Sequence, residues 1–111
     1  MTLKRIVKLD TGSLSAGSFI DLVYAPEVDL KLKRIEAVET TAGAYGLLFL
    51  TFYMGDVPFF FPDVSAALFH PTDPSPIVFD IAHPKGVYLK IRVTNSDSAA
   101  RRLVIHLIYE E

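Results

Sequence analysis

The chain has 111 residues, half of them hydrophobic and 22% charged, which fits one folded domain and excludes a disordered tail or a second domain. A net charge of −2 gives no electrostatic footprint for nucleic acid, and the absence of cysteine excludes a disulfide framework or a thiolate metal site. No run approaches the ~18 consecutive apolar residues that a membrane span needs; Leu47 to Met54, the most apolar stretch, is far too short.

The apolar period is two along most of the chain. Leu3 to Leu9 reads as a first strand, with no signal-peptide core ahead of it, so a cytoplasmic product or non-classical export is expected. Asp10-Thr-Gly12 stops it, and a small-residue loop runs to Gly17. Phe19 to Tyr24 follows, apolar on both faces, and Ala25-Pro26 ends it because proline cannot donate to a ladder. Val28, Leu30 and Leu32 then alternate with Asp29, Lys31 and Lys33 until the phase slips at Arg34-Ile35, the signature of a β-bulge. A helix over Leu30 to Glu39 competes, but Thr40-Thr41 and the clean alternation before it favour strand.

Residues 41–46 form a loop with two glycines, and Leu47 to Met54 reads as a central strand buried on both faces. Gly55-Asp56 marks a turn before a short strand over Val57 to Phe61, interrupted by Pro58. Pro62 to Pro76 holds four prolines and is irregular, with one helical turn expected over Asp63 to Leu68 and Asp63 as its N-cap. Ile77 to Ala82 is a strand closed by His83-Pro-Lys-Gly86, and Val87 to Thr94 alternates cleanly. Asn95 to Ser98 is a turn. In the last strand Leu103, Ile105, Leu107 and Tyr109 face one way and Val104, His106 and Ile108 the other. About eight strands at this spacing predict a single all-β domain over 1–111, an antiparallel β-sandwich of the jelly-roll type.

Chemistry-bearing residues are sparse. A metal site would draw on His70, His83 or His106 with Asp63, Asp73 or Asp80, as a cupin-like enzyme requires, but no His-x-His unit occurs. The histidines read as loop and turn residues, with His106 against a neighbouring strand or subunit. Ser13, Ser15, Ser18, Ser96 and Ser98 cluster in turns, and Gly12 to Gly17 lacks the lysine and hydroxyl of a phosphate loop. Glu36 and Glu39 fall on opposite faces of a strand and make no acid/base pair. No enzyme activity, cofactor or metal is expected. Tyr45, Tyr53, Tyr88 and Tyr109 leave a carbohydrate-binding module as an alternative, which the lack of tryptophan disfavours.

Phe59, Phe60 and Phe61 carry the most information, since adjacent side chains of a strand cannot all enter one core. At least one, Phe60 by preference, is expected to meet the proline-rich loop, another subunit or a ligand. With the apolar outer face of the last strand (Val104, His106, Ile108), these phenylalanines are the expected oligomer or partner interface.

The chain resembles the small jelly-roll structural proteins of viruses and phages, such as capsid decoration or spike-base proteins. The likeness rests on the cysteine-free, proline-loop-rich pattern, the Tyr24-Ala-Pro26 break before Val28 to Val38, and the closing pair Gly86 to Asn95 and Arg101 to Glu110. It implies a non-enzymatic structural protein in a virion, forming trimers or pentamers of itself and attaching to a capsid or other shell protein. The short segment ahead of the first strand departs from the long exchanging arm of such proteins, and no binding residue carries over.

Overall fold

A computed structural model describes residues 4–40, 45, 47–71 and 77–111. Two antiparallel sheets pack face to face, as the two-residue period requires. The strands are β1 (Lys4–Asp10), β2 (Phe19–Tyr24), β3 (Leu30–Glu39), β4 (Leu48–Met54), β5 (Val57–Pro58), β6 (Val64–Ser65), β7 (Val78–His83), β8 (Leu89–Asn95) and β9 (Leu103–Glu110). One sheet has the order β1-β9-β3-β7; the other runs β2-β8-β4-β5, with β6 also paired to β4.

Alternation decides which side chains meet between the sheets. Leu103, Ile105, Leu107 and Tyr109 of β9 point inward with Leu32, Ile35 and Ala37 of β3, and all are buried. From the other sheet come Leu48, Leu50 and Phe52 of β4 and Leu89, Ile91 and Val93 of β8, none more than 1% exposed. Each Leu, Ile, Val or Phe among them contributes about 1.5–3 kcal/mol on burial, so these positions dominate the stability. The bulge falls between Leu32 and Arg34, just ahead of the expected slip: Leu32 pairs with Tyr109 but Arg34 with Ile108. The extra residue, Lys33, turns outward, where its ammonium meets Asp80 at 2.8 Å and Glu110 at 3.9 Å.

β4 and β5 form a tight hairpin in which Met54 pairs with Val57 across Gly55-Asp56. Gly55 has φ +63°, as the first central residue of a type II′ turn requires. Beyond it the chain arches away. It takes six steps from Pro58 to Val64 while β4 takes three from Tyr53 to Leu50. The expected helical turn is a 3-10 helix over Ala66–Phe69, and its N-cap is Ser65 rather than Asp63. Asp63 instead sits at φ +50°, its N–H donating to the Thr51 hydroxyl at 3.1 Å. The expected glycine loop, apart from Tyr45, lies outside the described residues, as do Leu3 and positions 72–76 of the proline-rich stretch, with Asp73 among them. Among the described residues no helix is long and apolar enough to cross a membrane.

Candidate interaction surfaces

The arch explains how three consecutive phenylalanines are accommodated. They stand mostly outside a regular strand, so the alternation that would send Phe60 outward does not apply to them. Phe59 and Phe60 both turn toward the core, the Phe60 ring 5.5 Å from Phe79 and 6.1 Å from both Phe52 and Phe69. Phe69 is delivered by the 3-10 helix and stacks on Phe79 at an interplanar angle of 11°. The start of the proline-rich stretch thus covers Phe60. The outward residue of the three is Phe61, 74% exposed.

The second expected surface is the outer face of the β1-β9-β3-β7 sheet. Val104, His106 and Ile108 lie there on alternate positions of β9, opposite Asp10, Lys8 and Ile6 of β1 and Val38, Glu36 and Arg34 of β3. The row through Ile108 continues across Arg34 to Val78 of β7. Ile6 is 65% exposed and Val78 is 72% exposed, and they flank the row at the two sheet edges. Val104 is already buried by its neighbours, whereas His106 and Ile108 are half-buried. Charged rows lie alongside: Lys8, His106 and Glu36 on one side, Lys4, Glu110 and Lys31 on the other.

The three histidines occupy three unlike settings. His106 is on that outer face, and His70 meets the Tyr45 ring edge-on at 5.3 Å after the 3-10 helix. His83 is not a loop histidine: it closes β7 with its side chain fully buried. Its Nε2 lies 2.6 Å from the Val87 carbonyl, which can only accept, so Nε2 carries the proton. Nδ1 therefore accepts from the Tyr109 hydroxyl at 2.8 Å. Burial pushes the His83 pKa down and the Tyr109 pKa up, so both are neutral at pH 7. With both ring nitrogens engaged, His83 presents no lone pair to a metal. Among the described residues no group of three His, Asp or Glu side chains converges as a metal site.

Three aspartates are similarly committed. Asp21 takes a two-pronged contact from Arg92, at 2.8 Å and 3.1 Å. Asp97 accepts from Arg101 at 2.9 Å and 3.1 Å, and Asp10 pairs with Arg102. Hydrogen bonds from these arginines hold all three aspartates below their ordinary pKa. Of the tyrosines considered for sugar stacking, Tyr109 is buried and Tyr45 donates its hydroxyl to the Ala37 carbonyl at 2.9 Å. The Tyr53 ring lies under the Lys90 ammonium at 4.6 Å, leaving Tyr88 the more open of the four.

The polar centre that sequence reasoning missed is Asn95, assigned there to a turn. It ends β8 with no exposed surface, and its Nδ2 donates to the carbonyls of Leu14 at 3.0 Å and Ala99 at 2.9 Å. Its Oδ1 accepts from the Asp97 N–H at 3.0 Å, so one side chain ties the loop after β1 to the turn before β9. The signal was present: position 95 continues the inward series Leu89, Ile91, Val93.

The chain matches no family model, no curated protein and no solved structure.

Proposed function

We propose that this chain is a non-enzymatic structural or assembly protein of jelly-roll type that works as a homo-oligomer, in the manner of a capsid decoration or spike-base component. Strand order supports the jelly-roll reading. With β5 and β6 counted as one interrupted strand, the sheets run β1-β9-β3-β7 and β2-β8-β4-β5/β6. The path switches sheet at nearly every connection, and its first and last strands are neighbours, as two interleaved Greek keys require.

The observation that carries the assembly reading is apolar surface left outside a closed core. The inward positions of β3, β4, β8 and β9 are buried, yet Ile6, Phe61 and Val78 stand open to solvent. Ile6 and Val78 belong to one row with Ile108, the outer-face residue expected at an interface from the sequence. Such a row, bordered by charged rows, has the apolar-centre and polar-rim layout of a protein contact. The same sheet face and the Phe61 arch are the surfaces offered to a shell protein.

Light scattering on size-exclusion eluates tests this reading with Ile6→Glu, Phe61→Glu and Val78→Glu. The wild type is expected to elute at a multiple of the 12.3 kDa chain mass, and at least one variant at a lower multiple with its circular dichroism unchanged. A wild type that stays monomeric at high concentration overturns the proposal.

A further inference from the structure

β2 is an edge strand, and among the described residues nothing pairs with its far side. Which of its backbone groups are unused follows from the ladder with β8. The Asn95 N–H donates to Ser18 O, which makes Ser18 and Asn95 a hydrogen-bonded pair in the register that matches Leu22 to Ile91. Alternation then turns the N–H and C=O of Ile20, Leu22 and Tyr24 toward β8, and those of Phe19, Asp21 and Val23 toward the open edge.

Exposed edges are normally guarded by lysine, proline or inward charge. β1 carries Lys4, Arg5 and Lys8 in seven residues. β2, Phe19-Ile-Asp-Leu-Val-Tyr24, has none of these guards, and its one charge, Asp21, is neutralised by Arg92 of its own chain. Its core-facing Ile20, Leu22 and Tyr24 are only half-buried, whereas their partners Val93, Ile91 and Leu89 on β8 are fully buried. Phe19 and Val23 on the outer face are 58% and 50% exposed. Both faces of the strand are therefore incompletely covered on the side where the backbone is unpaired.

We infer that β2 pairs antiparallel with β2 of a second copy about a two-fold axis at Leu22, joining the two β2-β8-β4 sheets into one. Any register centred on a residue keeps like faces together, and those centred on Phe19, Val23 or Tyr24 run half or more of the strand against loop residues. Centring on Asp21 sets two carboxylates opposite each other, and centring on Ile20 leaves Val23 and Tyr24 against the loop residues Gly17 and Ala16. Centring on Leu22 places Leu22 across from itself, Ile20 across from Tyr24, and Asp21 across from Val23. In that register Asp21 and Val23 exchange the backbone bonds that the edge leaves open. The outer-face row then runs Tyr53, Lys90, Val23 of one copy into Asp21, Arg92, Thr51 of the other. Each Asp21 then has its own Arg92 on one side and, beyond the facing Val23, the Lys90 of the second copy one strand further along the row, an order of charges that this register alone produces.

The contact rests on the homo-oligomer reading and gives it a specific interface, distinct from the β9 face and the Phe61 arch. The chain has no cysteine, so single replacements report register directly. Under mild oxidation Leu22→Cys is expected to give a disulfide-linked dimer, while Ile20→Cys, facing Tyr24 of the other copy, stays uncrosslinked. In sedimentation velocity Val23→Asp loses the contact because it faces Asp21, and Val23→Lys keeps it; thermal melts confirm that each variant is folded. Efficient cross-linking through Ile20→Cys, or an oligomer mass untouched by Val23→Asp with no cross-link through Leu22→Cys, overturns the β2 contact and leaves the homo-oligomer standing. A wild type monomeric throughout overturns both.

Discussion

Asn95→Ala removes a side chain that holds three backbone groups in two separate loops at 3.0 Å or less, Leu14 O, Ala99 O and Asp97 N, with Ser15 O further off at 3.4 Å. The site has no exposed surface, so water does not replace the lost partners without opening the loops. Each intramolecular hydrogen bond contributes about 0.5–1.5 kcal/mol net, and a buried group left unpaired costs about 1–3 kcal/mol. Leu14 O keeps the Arg101 N–H at 3.0 Å, so Ala99 O and the Asp97 N–H are the groups left unpaired, and the loss comes to roughly 2–5 kcal/mol, a large share of the ~5–15 kcal/mol typical of a domain. Urea unfolding followed by circular dichroism measures it, with the m-value as a check that the two-state description holds. Asn95→Asp sharpens the test because it keeps the shape while turning a carboxylate oxygen on the Leu14 and Ala99 carbonyls. Burial and those carbonyls raise its folded-state pKa above the unfolded value of about 3.9, so the variant is worst near neutrality and recovers as pH falls toward 4. An alanine variant within ~1 kcal/mol of wild type, or an aspartate variant whose deficit is flat with pH, refutes the role given to Asn95.

His83 gives a second pH signature. Its folded pKa is depressed below 6.5 by burial, so its contribution is complete above 6.5 and shrinks as pH falls below that value. Melting temperatures from pH 7.5 to 5 are expected to fall more steeply for wild type than for His83→Gln; parallel curves would contradict the assignment of a neutral ring. Phe52→Ala empties the centre of the aromatic cluster and is expected to cost about 3–5 kcal/mol. Phe61→Ala, at a position exposed in the single chain, is expected to stay within ~0.5 kcal/mol when both proteins are compared at a dilution where each is monomeric, and urea titrations of the pair decide whether inner and outer phenylalanines are assigned correctly. Gly55→Ala places a Cβ on a residue at φ +63° and is expected to lose roughly 1 kcal/mol in the same assay.

The strands were legible because most carry a two-residue period that burial enforces. Leu89 to Val93 and Leu103 to Tyr109 read inward on alternate positions in sequence and in structure. The bulge in β3 was legible for the same reason, since continuing the inward series Leu30, Leu32 without a slip would carry Arg34 into the core and Ile35 out of it. Two kinds of feature escaped. The Phe59 to Phe61 arch depends on where β4 ends and how Ser65 caps a 3-10 turn, neither of which a strand template contains. His83 and Asn95 are polar residues at inward positions, and their identity pointed to turns while their phase pointed to the core. Phase prevailed because each finds enough hydrogen-bond partners to be buried at little cost. Of the expected interface, Phe61 and Ile108 lie beside exposed apolar surface, while Phe59, Phe60 and Val104 are covered by their own chain to differing degrees.

The proposal that this domain completes its burial against copies of itself is tested most directly by the mass of the unaltered protein across a wide concentration range, measured by sedimentation equilibrium. The account predicts a defined multiple of 12.3 kDa that persists on dilution into the micromolar range. A single species at the chain mass over the whole range, with Ile6, Phe61 and Val78 remaining open to solvent, would contradict it.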